Sequence, residues 1–509
     1  MPAGIGGAIA AGHPETVEAA RIALEAGGNA FDAALAGMAA AFVAEPVLAS
    51  PGGGGFLLAG RAGHAPVAYD FFARTPKHKR PVEEIDFHAA FADFGTTRQE
   101  FHIGMGATAT PGAIPGMFRI HGDLCRLPMR NILAPAIAAA ERGIEINRFQ
   151  AKVLGVVAPI YRATAGARGL YAGNAAGTGL LAEGDRLVNP DLAGCLTALA
   201  EGGPELFTHG DVASRIAGLS RDGGGHLTGA DLSSYVPGKA PPLVTTYRGW
   251  RIATNPAPST GGVLVALGLA LLQRLGDRAD GSPESHARLA AVLAETDSLK
   301  AVGRMAAEDL LDPETVAVAT EAARQRLVAS RGTTHISVID RGGNCAALTL
   351  SNGEGNGIVV PGCGFMLNNV LGEEDINPGG FHRWTPDRPM GSMMAPTLMN
   401  GPGGEVAVLG SGGSNRIRSA VLQLVRNIAA GMGAADAVTA PRLHVEGGRI
   451  DIEPGPGEAA LAAVRGLGMP VECWPEPGLF FGGAHVALAR NGHAEAAGDA
   501  RRDGAATCL

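Results

Sequence analysis

The most informative stretch of the chain for chemistry is residues 332–340, Gly-Thr-Thr-His-Ile-Ser-Val-Ile-Asp. Polar and apolar side chains alternate along it and β-branched residues are frequent, which predicts a β-strand. Residues 341–344, Arg-Gly-Gly-Asn, form a turn signal, and a second strand-like run follows at 345–351. The two runs therefore predict a β-hairpin that begins with a pair of threonines.

The register of this hairpin decides which side chains surround the threonines. With the turn centred on Gly342-Gly343, Thr334 faces Ser351 and Thr333 faces Asn352, to within about one residue. Hydroxyl and amide groups are therefore expected to gather around Thr333.

Thr333 becomes useful as a catalyst only if the bond between Gly332 and Thr333 is broken. A threonine hydroxyl alone is a poor nucleophile, whereas a newly exposed α-amine has an unperturbed pKa of about 8 and can act as general base for the neighbouring Oγ. The cut can use the same hydroxyl, which attacks the preceding carbonyl and forms an ester that water then cleaves. From these residues alone, an ordinary edge strand is the more common explanation of a Thr-Thr pair.

An ordered series of short motifs extends the evidence to the whole chain. In chain order they are Gly-Gly-Gly-Gly-Phe at 52–56, Thr-Pro-Gly at 110–112, Asn-Pro-Ala-Pro-Ser-Thr-Gly-Gly at 255–262, Thr-Thr-His at 333–335, Leu-Asn-Asn at 367–369, Arg-Pro-Met-Gly-Ser-Met at 388–393 and Gly-Ser-Gly-Gly-Ser-Asn-Arg at 410–416. Together these motifs resemble the γ-glutamyltransferase (γ-glutamyltranspeptidase) family of N-terminal nucleophile hydrolases.

The resemblance implies a fold, a maturation step and a reaction. The fold is an α/β (α+β) four-layer αββα sandwich. Self-cleavage before Thr333 would give a large fragment, 1–332, and a small fragment, 333–509, that form one interleaved domain. Thr333 would then attack a γ-glutamyl amide such as glutathione, and the acyl-enzyme would pass the glutamyl group to water or to an amino acid. Neither a metal nor an organic cofactor takes part.

The resemblance also assigns roles to residues near the nucleophile. Ser351 matches a hydroxyl residue that supports the nucleophile, and Asn352 matches a substrate-contacting asparagine in a loop that is shorter here than is usual. Gly413 and Ser414 match the pair whose backbone N–H groups form the oxyanion hole, and a glycine-rich turn suits close approach to a carbonyl oxygen. Ser414 replaces the glycine that is usual at its position.

The residues expected to recognise the substrate depart from the family pattern. Glu373 matches the acid that binds the substrate amino group, and Ser392 matches the second of two carboxylate-binding serines, the first being Gly391 here. Phe72 stands where glutamate-specific relatives carry an arginine that grips the α-carboxylate, and Arg74 follows on the same face of an extended segment. Two alternatives stay open: an acylase of the same fold acting on a non-glutamyl amide, and an unprocessed, non-catalytic relative that serves as a binding protein.

The composition favours a protein that binds neither nucleic acid nor a membrane. The formal net charge is −8 and the pI is about 6.0, so no basic surface is expected to attract polyanions. The apolar stretches at 33–44 and 262–272 are too short to cross a bilayer, and the first residues lack the features of a secretory signal, which predicts a cytoplasmic location.

The 14 histidines show no metal-binding spacing, and the six cysteines are expected to be reduced. The expected partners are therefore a small-molecule γ-glutamyl or other acyl amide and the two fragments themselves.

Helical spacing and capping signals predict helices at 15–26, 30–44, 131–142, 285–310 and 416–429. Asn29 is expected to cap the second of these helices and Pro46 to end it. The last helix follows the Gly413-Ser414 turn directly, so its dipole would favour negative charge at that turn.

Three further features favour a structural explanation over a catalytic one. The glycine run at 52–55 is followed by no Lys-Ser/Thr pair and is best explained by backbone packing rather than phosphate binding. His335 projects to the opposite side of its strand from Thr334 and is expected to be structural. Asp499, Arg501 and Arg502 are expected to form surface or inter-fragment ion pairs.

Overall fold

The computed structural model describes residues 6–93, 98–173, 179–302, 333–377 and 379–509. Its strands are, in chain order, β1 (Ala8–Ala11), β2 (Gly54–Gly60), β3 (Val67–Asp70), β4 (His88–Asp93), β5 (Arg98–Ile103), β6 (Ile144–Glu145), β7 (Arg186–Leu187), β8 (Gly238–Ala240), β9 (Leu243–Tyr247), β10 (Trp250–Thr254), β11 (Thr334–Ile339), β12 (Cys345–Ser351), β13 (Thr397–Asn400), β14 (Val406–Gly412), β15 (Leu443–Glu446), β16 (Arg449–Ile452), β17 (Val471–Cys473), β18 (Gly483–Arg490), β19 (His493–Ala497) and β20 (Ala505–Cys508).

The α-helices of the described ranges are α1 (Pro14–Glu25), α2 (Ala30–Ala44), α3 (Ala113–Leu124), α4 (Met129–Arg142), α5 (Arg148–Val156), α6 (Ala158–Tyr161), α7 (Ala165–Leu170), α8 (Pro190–Gly202), α9 (Glu205–Thr208), α10 (Asp211–Asp222), α11 (Gly229–Ser233), α12 (Thr260–Arg274), α13 (Pro283–Val302), α14 (Arg416–Ala429), α15 (Ala434–Thr439) and α16 (Glu458–Arg465).

Two large antiparallel sheets form the centre of the molecule. The first has seven strands in the order β20-β1-β11-β12-β2-β3-β8, and the second has six in the order β19-β18-β14-β13-β10-β9. They face each other, because β1, β11 and β12 pack against strands β14 and β18 of the second sheet. Helices α1, α2 and α3 cover the outer face of the first sheet, and α12 and α14 cover that of the second. The expected four-layer αββα sandwich is therefore confirmed.

Each interface between layers has its own buried apolar cluster. The cluster between the two sheets is rich in alanine and includes Ala8, Ala347, Val408 and Ala487. Small side chains allow the two sheets to approach closely at this interface. Larger leucine, phenylalanine and methionine side chains fill the two outer interfaces, where helices pack on sheets.

Helix α2 shows how the sequence determines one of the outer layers. All of its residues are buried, which fits a composition of alanine, phenylalanine and other small or apolar residues. Asn29 caps it as predicted: its side chain accepts from the amides of Phe31 and Asp32, while the Asp32 carboxylate accepts from the Asn29 amide. The helix ends at Ala44, just before the Glu45-Pro46 pair.

Most predicted helices are found within two residues of their expected bounds, as α1, α2, α4 and α14 show. The helix predicted at 285–310 is observed as α13, Pro283–Val302, and residues 303–310 lie outside the described residues. No helix of the described ranges is long and apolar enough to cross a membrane. Within those ranges, no group of three or more His, Cys, Asp or Glu side chains is placed to hold a metal ion. The six cysteines are free thiols.

The hairpin of β11 and β12 is present, and its register differs by one residue from the predicted pairing, which is within the expected range of about one residue. Thr334 pairs with Leu350, so the ladder continued by one step brings Thr333 opposite Ser351 rather than Asn352. The cause is the loop, which has three residues, Arg341, Gly342 and Gly343, between the hydrogen-bonded Asp340 and Asn344. Gly343 has φ +76°, the left-handed conformation that three-residue hairpin loops require.

Candidate active site

Thr333 lies immediately before the first residue of β11 and is buried, with 3% of its surface exposed. Its carbonyl oxygen accepts a hydrogen bond from Arg502 Nη1 at 3.3 Å. Gly412, the last residue of β14, packs directly against the same carbonyl, and a Cβ on Gly412 would overlap the Thr333 oxygen. Thr333 is thus held at the edge of the interface between the two sheets.

The turn that follows β14 carries the two residues expected to form the oxyanion hole. Gly413 has φ +118° and Ser414 has φ +50°, so both adopt backbone conformations that favour glycine. Their carbonyl oxygens accept from the amides of Arg416 (3.0 Å) and Ile417 (2.8 Å), which begins helix α14. The turn therefore combines close approach to Thr333 with a helix N-terminus, where partial positive charge stabilises an anion.

Ser351 is the last residue of β12, opposite Thr333 when the ladder is continued by one step, and Asn352 follows it. Ser351 Oγ accepts a hydrogen bond from the Gly353 amide at 3.1 Å. Asn352 is fully buried, and its Nδ2 donates weakly to the Met366 carbonyl at 3.5 Å. Its Oδ1 is a buried acceptor with no hydrogen-bond partner among the described residues. Burying an acceptor without a partner is costly, which makes Asn352 Oδ1 a feature that the fold alone does not explain.

Glu373 lies against Gly353, in the loop that follows Asn352, whereas Ser392 contacts Met394 and Ser259. Glu373 is buried, and its Oε1 would lie 2.7 Å from a Cβ on Gly353. Ser392 Oγ accepts from the Met394 amide at 3.1 Å, and its carbonyl accepts from Ser259 Oγ at 3.2 Å. The 255–262 motif therefore supports the segment that carries Ser392.

Arg74 does not show the contacts expected of a carboxylate ligand in the candidate site. Its Nη2 donates to the Asp387 carbonyl at 3.2 Å and lies 3.6 Å from the Asp387 carboxylate, with 30% of its side chain exposed. Phe72 is buried, and its ring lies 5.7 Å from that of Phe56. An aromatic pair thus occupies the region where the resemblance places an arginine.

Two charged residues near Thr333, Glu45 and Arg502, were given no place in the candidate site from the sequence. Thr334 Oγ1 donates to Glu45 Oε2 at 2.6 Å, and Thr16 Oγ1 donates to Glu45 Oε1 at 2.9 Å. Arg502 was expected on the surface or in an inter-fragment ion pair, but it is 5% exposed and bonds the carbonyls of Thr333 and Leu479. The expectation for Arg502 is therefore wrong, because a pattern of charges near a chain end does not show burial.

The other two charged residues of that group do form ion pairs, but inside the protein. Asp499 Oδ2 lies 2.6 Å from Arg442, and Asp499 Oδ1 lies 3.2 Å from Arg501, and all three side chains are at most 5% exposed. Burial acts to raise the pKa of Asp499, but the two guanidinium groups outweigh it and hold that pKa below its ordinary value. The expected ion pairs are therefore present, but the expected location is wrong, because the pairs are buried and all three residues belong to 333–509.

Burial also changes the acid–base behaviour of groups close to Thr333. Burial raises the pKa of Glu45, although hydrogen bonds from Thr334 and Thr16 oppose the shift. Burial, with Arg416 nearby, lowers the pKa of Arg502 to about 9. His335 bonds Thr349 Oγ1 at 2.7 Å and Ser337 Oγ at 3.0 Å, and burial keeps its pKa well below the ordinary value. These contacts fit the structural role expected for His335.

The glycine run also has the structural role expected from the sequence. A Cβ on Gly53 would lie 2.5 Å from the Ser351 carbonyl, and one on Gly54 would lie 2.6 Å from the Phe71 carbonyl. The run therefore allows the backbone of β2 to pack tightly against the segments that carry Ser351 and Phe72.

The fold and this arrangement define the class of N-terminal nucleophile hydrolases. Cephalosporin acylase from Bacillus halodurans aligns with a TM-score of 0.83 over 99% of this chain and 96% of that chain, at 23% identity. γ-Glutamyltranspeptidase from Helicobacter pylori, 27% identical, aligns with a TM-score of 0.51 over 61% of this chain and 87% of that chain.

The chain belongs to the gamma-glutamyltranspeptidase family, which it matches across residues 16–509. The Acylase ACY 1 proenzyme of Pseudomonas sp. (strain V22) is 30% identical over 489 residues, which cover 91% of this chain and 87% of the relative. The Glutathione hydrolase proenzyme of Escherichia coli (strain K12) is 29% identical over 466 residues, which cover 83% of this chain and 78% of the relative. The protein is therefore an enzyme of the γ-glutamyltransferase or acylase type.

Proposed function

We propose that the chain cuts itself between Gly332 and Thr333 and that the freed Thr333 is the nucleophile of an amide hydrolase or acyltransferase. The observation that carries this proposal is the position of Thr333 immediately before β11, packed against the turn at 412–414. Gly332 lies outside the described residues. The proposed fragments, 1–332 and 333–509, each contribute strands to both large sheets.

Maturation uses the hydroxyl of Thr333 on its own chain. Oγ attacks the Gly332 carbonyl carbon, the peptide C–N bond breaks, and the acyl group moves from nitrogen to oxygen. The nitrogen takes up the proton that Oγ gives up and becomes the α-amine of Thr333. Water then hydrolyses the ester, which leaves a carboxylate on Gly332 and restores the hydroxyl.

Turnover repeats the same attack on a substrate amide. The α-amine of Thr333 accepts the Oγ proton while Oγ bonds to the acyl carbon, and the negative charge develops on the carbonyl oxygen. The amides of Gly413 and Ser414 stabilise that oxygen, a contribution on the order of 3 kcal/mol for one such donor. The proton passes to the departing amine, and the acyl ester on Thr333 is released to water or to an amine acceptor.

The remaining candidate residues support this chemistry by position. Ser351 is opposite Thr333 in the hairpin register and supports its hydroxyl. Asn352 Oδ1 offers a buried acceptor, and Glu373 a buried carboxyl, to polar groups of the substrate. Ser392 is proposed to contact a substrate carboxylate. No cofactor enters any of these steps.

The acyl group favoured by the geometry is one without a tightly held α-carboxylate. Phe72 and Phe56 make an aromatic wall, and the Arg74 guanidinium is engaged with Asp387. A bidentate arginine contact to a carboxylate is worth on the order of 2 to 3 kcal/mol, so its loss weakens glutamate recognition substantially. These contacts support the alternative that the enzyme is an acylase acting on a non-glutamyl amide. γ-Glutamyl amides such as glutathione remain the competing substrates.

Gel electrophoresis of the purified chain tests the maturation step. We expect two fragments, with the smaller beginning at Thr333 by terminal sequencing, because the cut separates 1–332 from 333–509. A single band at the full 51.6 kDa in soluble, folded protein would instead favour an unprocessed binding protein.

A substrate panel with two variants tests the acyl preference. Non-glutamyl acyl amides are expected to give a higher kcat/KM than glutathione. Phe72→Arg is expected to raise kcat/KM for glutathione by roughly tenfold or more, because an arginine there can bind the α-carboxylate with two parallel hydrogen bonds. Arg74→Ala is expected to change kcat/KM for glutathione by less than about threefold. A loss near 100-fold in Arg74→Ala would show that Arg74 does bind the substrate carboxylate, even if Phe72→Arg fails to fold.

A further inference from the structure

We propose that Glu45 is a positioning residue for Thr333, acting through the side chain of Thr334. This inference rests on the proposed function of Thr333. The contact of Glu45 is with Thr334 rather than with Thr333 Oγ. The Thr334 side chain projects to the side of β11 that helices cover, whereas the next side chain, His335, packs on Gly410 of the opposite sheet. Glu45 therefore acts on the nucleophile through its neighbour.

The carboxyl group of Glu45 is held on a rigid support. Glu45 is 3% exposed and follows the last residue of helix α2, all of which is buried. Its carbonyl oxygen accepts from the amides of Leu48 at 2.8 Å and Ala49 at 2.9 Å. The carboxylate accepts from both Thr16 and Thr334, and a leucine in its place would offer neither hydroxyl an acceptor.

The surroundings of the contact leave little space for any other arrangement. Gly12, just after β1, lies against the hydrogen bond between Glu45 and Thr334. A Cβ on Gly12 would overlap Glu45 Oε2 and lie 2.7 Å from Thr334 Oγ1. The contact therefore exists only with a residue that lacks a side chain at position 12.

The need for an anchor at Thr334 follows from the proposed cut. The β11–β12 ladder begins at Thr334, so Thr333 becomes a free chain end directly beyond the last paired residue, and chain ends are mobile unless tied down. Arg502 holds the Thr333 carbonyl from one side, and Glu45 fixes the next side chain from the other. Together they restrict the position of Oγ and of the α-amine, and a displacement of about 1 Å in such groups can cost roughly 100-fold in rate.

The test compares Glu45→Leu, Thr334→Val and the double variant with the wild type, by the rate of self-cleavage and by kcat and KM. Each single variant is expected to lower the cleavage rate and kcat by roughly 10-fold to 100-fold, with KM changed by less than about threefold. The double variant is expected to be no slower than the worse single variant, because both changes break the same link. Thr334→Val keeps the β-branched shape of threonine, so it remains informative if Glu45→Leu folds poorly.

Asp340→Asn is the matched control. Asp340 is also a buried carboxyl on β11's hairpin, but it lies at the far end, where it accepts from the Ala30 amide and from Asn344. This variant is expected to lower the thermal midpoint while kcat stays within about twofold of the wild type.

The outcomes separate the two proposals. Wild-type protein that neither cuts itself nor turns over amides refutes the proposed function. If the wild type is processed and active while Glu45→Leu and Thr334→Val stay within threefold of its kcat, the role of Glu45 alone is refuted. Losses of kcat that multiply in the double variant refute it as well. Gly12→Ala is expected to show the same loss of kcat as Thr334→Val, since its Cβ separates the same two groups.

Discussion

Thr333→Ala is expected to abolish both self-cleavage and amide turnover. The substitution removes Oγ, the protein atom that bonds to the acyl carbon in the proposed mechanism, while alanine keeps the backbone of this buried position. We expect the purified variant to stay as one 51.6 kDa chain and kcat to fall by a factor on the order of 10⁴ or more. Electrophoresis and an amide hydrolysis assay on the same sample measure both effects.

Thr333→Ser is the control for this prediction. Serine keeps the hydroxyl and loses only a methyl group, so we expect the chain to be cut and the product to be active at a reduced rate. Cleavage before residue 333 in the alanine variant, or turnover comparable with the wild type, would show that another group is the nucleophile.

Gly412→Ala is expected to have the second largest effect. The added Cβ would occupy the place of the Thr333 carbonyl oxygen, so either β14 or the start of β11 must move. We expect the rate of self-cleavage and kcat to fall by about 100-fold or more, because the oxyanion turn and the nucleophile are displaced relative to each other. Overpacking in the interior also costs roughly 1–3 kcal/mol of unfolding free energy, which denaturant titration measures.

Gly194→Ala is the matched control for the added methyl group. Gly194 lies within helix α8, and a Cβ there would meet no heavy atom within 4 Å. The unfolding free energy is expected to rise by about 0.4–1 kcal/mol, because alanine restricts the unfolded chain, and kcat is expected to be unchanged. If Gly412→Ala behaved like Gly194→Ala, the close packing of β14 on Thr333 would not matter for catalysis.

The layers of the fold were predictable because local signals and family motifs agree along the chain. The capping box at Asn29 and the start of α14 after the 410–416 motif were both visible in the sequence, since they depend on neighbouring residues. The hairpin was also predicted, but its register depends on whether the loop holds two or three residues. Arg341-Gly342-Gly343-Asn344 permits either, and Gly343 adopts the left-handed conformation that fixes the longer loop.

The surroundings of Thr333 were less predictable because they depend on contacts between distant segments. Glu45 follows a helix and precedes a proline, so its sequence context resembles an ordinary helix end, yet it binds a residue 289 positions away. Arg502 is similarly hidden in a charged stretch near the chain end. Arg74 could not be placed from spacing alone, since its partner Asp387 belongs to another segment. Ser414 was identified as unusual, and its φ of +50° now explains why glycine suits that position.

The order of strands in the first sheet has a consequence for the proposed pair of fragments. β1 lies between β11 and β20, so a strand from 1–332 is hydrogen-bonded on both edges to strands from 333–509. Release of either piece would require both ladders to break at once, which couples dissociation to global unfolding. A severed molecule would therefore neither exchange pieces with its neighbours nor lose one on dilution, and separately made pieces would have to fold in each other's presence.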